Sequence, residues 1–135
     1  TIEAYNLSDI EPFTLVIADW ITRLNYYEFI WDGLAKQLTL LPPEPRIWSS
    51  TTLYTQQQKD LRKDWFEAFK SKTELNVHSL LKFHHTAGNE HPEFGVIMDR
   101  DFVKTTSITQ VIKNKNKIAM RFENLDSGEV TEKEL

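Results

Sequence analysis

The chain has 135 residues, of which 40% are apolar, 27% charged and 12% aromatic, a balance that fits one folded domain of ordinary size and excludes wholesale disorder. It contains no cysteine, which excludes disulfide frameworks, zinc-thiolate sites and thiol nucleophiles, and cytosolic residence is expected. The formal charge of −4 is unevenly spread: both ends are acidic, and the stretch from Arg46 to Phe122 is net basic.

No basic stretch followed by an apolar run opens the sequence, so no signal peptide is expected. No apolar run approaches the roughly 20 residues that span a bilayer, so no membrane association is expected either. Asn6-Leu7-Ser8 fits the glycosylation pattern and is read as coincidence in a cytosolic chain.

Ser8-Asp9-Ile10-Glu11 has the form of a capping box, with Pro12 in the first turn that would follow. Phe13, Ile17, Trp20, Leu24, Tyr27, Trp31, Leu34 and Leu38 then recur at alternating spacings of four and three. This spacing predicts a long amphipathic helix over residues 9–39, or two helices breaking near Asn25, with the aromatic stripe packed into the core. Pro42, Pro43 and Pro45 end that element and form a stiff connector.

Residues 46–55 read as a short strand or a loop. Thr55-Gln56-Gln57-Gln58 predicts a second cap, opening a helix to about Lys72 with Leu61, Trp65, Ala68 and Phe69 inward. From Asn76 the rhythm turns to period two, predicting a strand over residues 77–84, a loop over 86–92 and a short strand over 94–98. Ser107 to Lys113 and Lys117 to Glu123 predict a hairpin about Asn114-Lys115-Asn116, and Asp126-Ser127-Gly128 a turn into a last strand at Glu129-Val130. The expected fold is therefore α+β in a single domain: two N-terminal amphipathic helices, the first long or broken, packed on a C-terminal antiparallel sheet of three to five strands.

Three constellations bear on function. His84, His91, Glu93, Asp99 and Asp101 include imidazoles and carboxylates, the ligand types of a hydrolytic metal site, although neighbouring His84 and His85 would point to opposite faces of a strand. Asp99 and Asp101 could hold Mg²⁺, but folds that use such a pair at a strand end need crossover helices that the remaining chain is too short to supply. Lys59, Arg62 and Lys63 on the second helix, with Lys113, Lys115 and Lys117 on the hairpin, form a basic set that could meet nucleic acid; Asp60, Asp64 and Glu67 dilute it.

Nucleophile elbows, P-loops and dinucleotide glycine patterns are missing from the sequence, and no cofactor is expected. The leading reading is a non-catalytic binding protein of regulatory, inhibitor or immunity type whose partner is another protein, itself a monomer or weak homodimer. Trp48, outside both predicted stripes, is the expected contact residue. Nucleic-acid binding by the basic set and metal-dependent hydrolysis by the His84–Asp101 region are the alternatives.

Overall fold

The computed structural model describes residues 2–50 and 52–135. In chain order it holds a single 3-10 turn at Ile2–Ala4, strands β1 (Phe13–Asp19), β2 (Asn25–Trp31) and β3 (Lys36–Leu41), helices α1 (Gln56–Lys72) and α2 (Val77–Thr86), and strands β4 (Ser107–Asn114), β5 (Lys117–Asn124) and β6 (Val130–Glu134). The strands make two antiparallel three-stranded sheets, β1-β2-β3 and β4-β5-β6, with the helices between them in sequence. Two compact units result, Thr1–Lys59 and Asp60–Leu135. No helix among the described residues is long and apolar enough to cross a membrane.

This overturns the predicted arrangement of N-terminal helices on a C-terminal sheet. The segment read as one long or broken helix is a β-meander with Leu15 opposite Phe29 and Phe29 opposite Leu38. The composition of Phe-Thr-Leu-Val-Ile and of Tyr-Tyr-Glu-Phe-Ile-Trp favours strand, because branched and aromatic side chains pack well on a pleated surface. Turn chemistry then cuts the segment into pieces. Gly33 sits at φ +95°, and the Asp32 carboxylate accepts the backbone N–H groups of Leu34 and Ala35, each at 2.7 Å. Those amides hold the Asp32 carboxyl below its ordinary pKa. Ser8 caps no helix; its amide and hydroxyl both donate to Asn6 Oδ1.

In the first unit Leu7, Phe29 and Trp31 form the buried cluster, with Ile2 and Phe13 against it. Phe29 is fully buried and its ring lies 5.8 Å from that of Phe13. The Trp31 indole N–H is satisfied by the Ile10 carbonyl at 2.7 Å.

In the second unit the predicted strand over 77–84 is helix α2. Asn76 and Ser79 cap it reciprocally, Ser79 N donating to Asn76 Oδ1 (2.9 Å) and Asn76 N to Ser79 Oγ (2.8 Å). The helix drives Phe83 against Phe66 and Phe69 of α1, with centroids 5.3 and 5.2 Å apart. Residues 94–98 form turns rather than a strand, although Phe94 and Met98 are buried as an apolar run would be.

Helix α1 matches its predicted span and cap: Gln58 N donates to Thr55 Oγ1 (3.3 Å) and Thr55 N to Gln58 Oε1 (3.0 Å). Its inward stripe is shifted by about one residue, to Arg62, Trp65, Phe66 and Phe69, leaving Leu61 and Ala68 exposed. The β4–β5 hairpin also stands as read, with Asn114 opposite Lys117 and Lys115 at φ +43° in the turn.

Candidate functional site

Pleating sorts the first meander into two faces. Phe13, Leu15 and Ile17 of β1, Tyr27, Phe29 and Trp31 of β2, and Leu38 and Leu40 of β3 share one face, because residues paired directly across antiparallel strands project to the same side. One end of this face is covered by Ile2 and Leu7. The remainder is not. Leu15 and Leu38 are each about two-fifths exposed (40% and 39%), and Leu40 is 57% exposed.

At that open end lies an apolar groove of about 700 Å³, its lining including Ile17, Tyr27 and Leu38 with Trp20 and Ile21 from the β1–β2 connection. Ile21 is almost wholly exposed and Trp20 nearly half so. A sheet normally buries its apolar face against a second layer, and here the N-terminal segment supplies only part of one. The uncovered remainder is apolar, with Trp20 and Tyr27 at its edge.

Trp48 lies against the opposite face. Its indole N–H donates to Glu28 Oε1 at 2.7 Å, and Glu28 alternates with the core residues of β2, so the ring, 36% exposed, does not join the apolar groove.

The basic set lies on two elements, α1 and the β4–β5 turn. Arg62 is buried, and its guanidinium donates to the carbonyls of Phe94 (3.0 Å) and Gly95 (2.7 Å). Lys63 pairs with Asp60 at 3.7 Å, and Lys59 lies in the first turn of α1 with its amide on the Thr55 carbonyl. On the hairpin, the Lys113 ammonium bonds the Lys115 carbonyl and Lys117 pairs with Glu134 at 3.3 Å. Of the six, Arg62 is buried and Lys63 and Lys117 have carboxylate partners.

The histidine–aspartate set is dispersed. His84 Nδ1 bonds the Leu80 carbonyl along α2 (2.7 Å), and the His91 ring lies against those of Trp65 and Phe94, 5.9 and 4.7 Å away. Glu93 offers its backbone carbonyl to Arg100, Asp99 bridges to Lys104, and Asp101 occupies a tight turn at φ +60°. Among the described residues no group of three or more His, Cys, Asp or Glu side chains could hold a metal ion.

Sequence reasoning missed a polar network on the helix-facing side of the second sheet. Glu123 Oε2 accepts from Arg121 at 2.7 Å and lies 3.2 Å from His85 Nε2 of α2; beside it Gln110 Nε2 donates to the Val77 carbonyl. The signal was available as parity, since Gln110, Arg121 and Glu123 share a face in the predicted hairpin register.

The Arg121 hydrogen bond, and next the field of His85, hold the Glu123 carboxyl below its ordinary pKa. A carboxyl depressed on folding stabilises the native state above its unfolded pKa and loses that contribution as pH falls through the folded value. Urea titrations between pH 6 and pH 3 are therefore expected to show a shallower loss of stability for Glu123→Gln than for the native chain. Parallel losses would show that Glu123 carries none of the acid sensitivity.

No family model, curated protein or solved structure matches the chain.

Proposed function

We propose that this chain is a non-catalytic binding protein that engages another protein through the open end of its first sheet. The observation that supports the reading is the half-covered apolar face: Leu15, Ile17, Tyr27, Leu38 and Leu40 align on one side of the meander, and its two edge strands carry exposed leucines. Removing such surface from water is worth roughly 25 cal/mol per Å², the main driving term in association. The groove at Trp20, Ile21 and Tyr27 adds the aromatic character that binding hot spots favour.

Parity supplies the test. Leu38→Glu places a charge on the apolar face, whereas Val16→Glu places the same charge on the other side of the same sheet. Both positions are already about two-fifths exposed, so both variants are expected to fold. Native chain and the two variants are immobilised, exposed to nuclease-treated extract of the host cells, and the retained material is quantified.

A protein held by native chain and Val16→Glu, and weakened at least tenfold by Leu38→Glu, is the expected outcome. Equal retention by all three, or retention of nothing, contradicts the proposal.

A further inference from the structure

Parity sorts the second sheet by charge as well as by polarity. Gln110 and Glu123 meet α2, and the register places Lys117, Arg121, Glu132 and Glu134 on that same side. The pairs of Lys117 with Glu134 and of Arg121 with Glu123 and Glu132 therefore lie there.

The opposite side is built from the alternate positions. Its middle strand, β5, carries Ile118, Met120 and Phe122, an apolar line about 13 Å long at the usual strand rise. Val111 of β4 stands opposite Met120 on one flank and Lys133 of β6 on the other, and Lys113 stands opposite Ile118. Along the three strands no carboxylate projects from this side. The Lys113 ammonium bonds the Lys115 carbonyl, a neutral acceptor that leaves its charge uncompensated.

Folding leaves this side open. Val111 is 56% and Phe122 40% exposed, whereas Ile108 on the helix-facing side is buried. A sheet face with apolar side chains is ordinarily covered by a second layer, and α2 covers only the other face. An apolar line with a lysine on each flank matches an apolar stripe with carboxylates on each flank. Matching charge decides which partners such a surface accepts.

We propose that the outward side of the second sheet receives an acidic amphipathic segment of a partner protein. Its apolar stripe lies on Ile118, Met120 and Phe122, and its carboxylates meet Lys113 and Lys133. A protein segment is favoured over single-stranded nucleic acid because the line holds one ring, Phe122, where base stacking uses successive aromatics. The thioether of Met120, at the centre, adapts readily to an aliphatic partner. This contact belongs to a different unit from the first-sheet face and is independent of it.

The test selects from a phage-displayed library of random dodecapeptides on the immobilised full chain. Enriched peptides are titrated against native chain, Val111→Glu, the double reversal Lys113→Glu/Lys133→Glu, and Leu38→Glu of the first sheet. The three altered positions of the second sheet are exposed, so these variants are expected to keep the native unfolding midpoint.

The expected peptides mix apolar residues with Asp or Glu. Val111→Glu and the double reversal bind them at least tenfold more weakly, Leu38→Glu binds them as native chain does, and affinity falls as salt rises. Replacing the peptide carboxylates by lysine should restore binding to the double reversal.

Peptides without acidic residues, or peptides that tolerate both second-sheet variants, overturn the proposal. If Leu38→Glu alone releases them, the first-sheet reading stands by itself. An empty selection overturns the proposal too. So does retention, in place of such peptides, of a thymine oligonucleotide or phosphatidylserine vesicles that the double reversal releases, or self-association that Val111→Glu abolishes.

Discussion

Replacing Gly88 by alanine is expected to cost the second unit about 2–4 kcal/mol. Two independent penalties combine. Gly88 has φ +75°, where a Cβ meets its own backbone, and that Cβ would stand 2.4 Å from Trp65 Cζ3 and 2.8 Å from the Gly95 Cα. The clash cannot be relieved by a simple rotation, because Trp65 is stacked on His91 and Phe94, with centroids 5.9 and 5.8 Å away.

Gly128→Ala separates the two terms. Gly128 has nearly the same backbone angle, φ +72°, with nothing within 4 Å of an added Cβ, so it should lose only the backbone term of about 1 kcal/mol. Urea unfolding of both variants measures the difference. Equal losses would mean that the Trp65 ring does not lie over Gly88.

Arg62→Met is expected to cost a similar amount, about 2–4 kcal/mol. The guanidinium reaches the carbonyls of Phe94 and Gly95, in a segment that forms turns and has no sheet ladder to satisfy those oxygens. Methionine fills much of the volume and leaves both acceptors without this donor, and burial makes that costly. Arg62→Lys should fall between native and Met, because a single ammonium lacks the planar fork that spans two adjacent carbonyls. Urea midpoints rank the three proteins. A methionine variant as stable as native would show that the ion's own desolvation cancels its hydrogen bonds.

These two positions also show where the sequence could be read and where it could not. The α1 cap and the β4–β5 hairpin rest on local chemistry, Thr55 with Gln58 and a Lys-Asn turn between alternating strands, and both appear in the structure. Read by its charge, Arg62 belongs to the basic set that could meet nucleic acid. Yet it lies three, four and seven residues before Trp65, Phe66 and Phe69, on the same helical stripe.

The N-terminal reading failed for a different reason. Phe13, Ile17, Tyr27 and Trp31 do share a core-facing side, but of the sheet, while Trp20, Leu24 and Leu34 fall in the connections between strands and are exposed. Strands of six and seven residues joined by short turns repeat with a rhythm that imitates a heptad. Asp32-Gly33 and the branched and aromatic composition are the contrary signals, and in the fold they outweigh the periodicity.

The converse error occurred at residues 77–84, where an alternating pattern hid a helix whose cap, Asn76 with Ser79, lacks the usual glutamate and whose buried residue, Phe83, is fixed by tertiary contact with α1. Of the candidate site, the aromatic wealth of the first unit was legible. Its open face was not, since a helical reading assigns Leu15 and Leu40 to no common side.

The apolar face proposed for binding requires that residues 13–41 form the three-stranded meander, so nuclear Overhauser contacts along this segment are the decisive measurement. Cross-strand contacts joining Leu15 to Phe29 and Phe29 to Leu38, with strand-type Cα shifts over residues 13–19, 25–31 and 36–41, are the expected result. Contacts at i to i+3 and i to i+4 running from Ile17 through Trp20 to Leu24 would restore a helix there and dissolve the surface proposed for the partner.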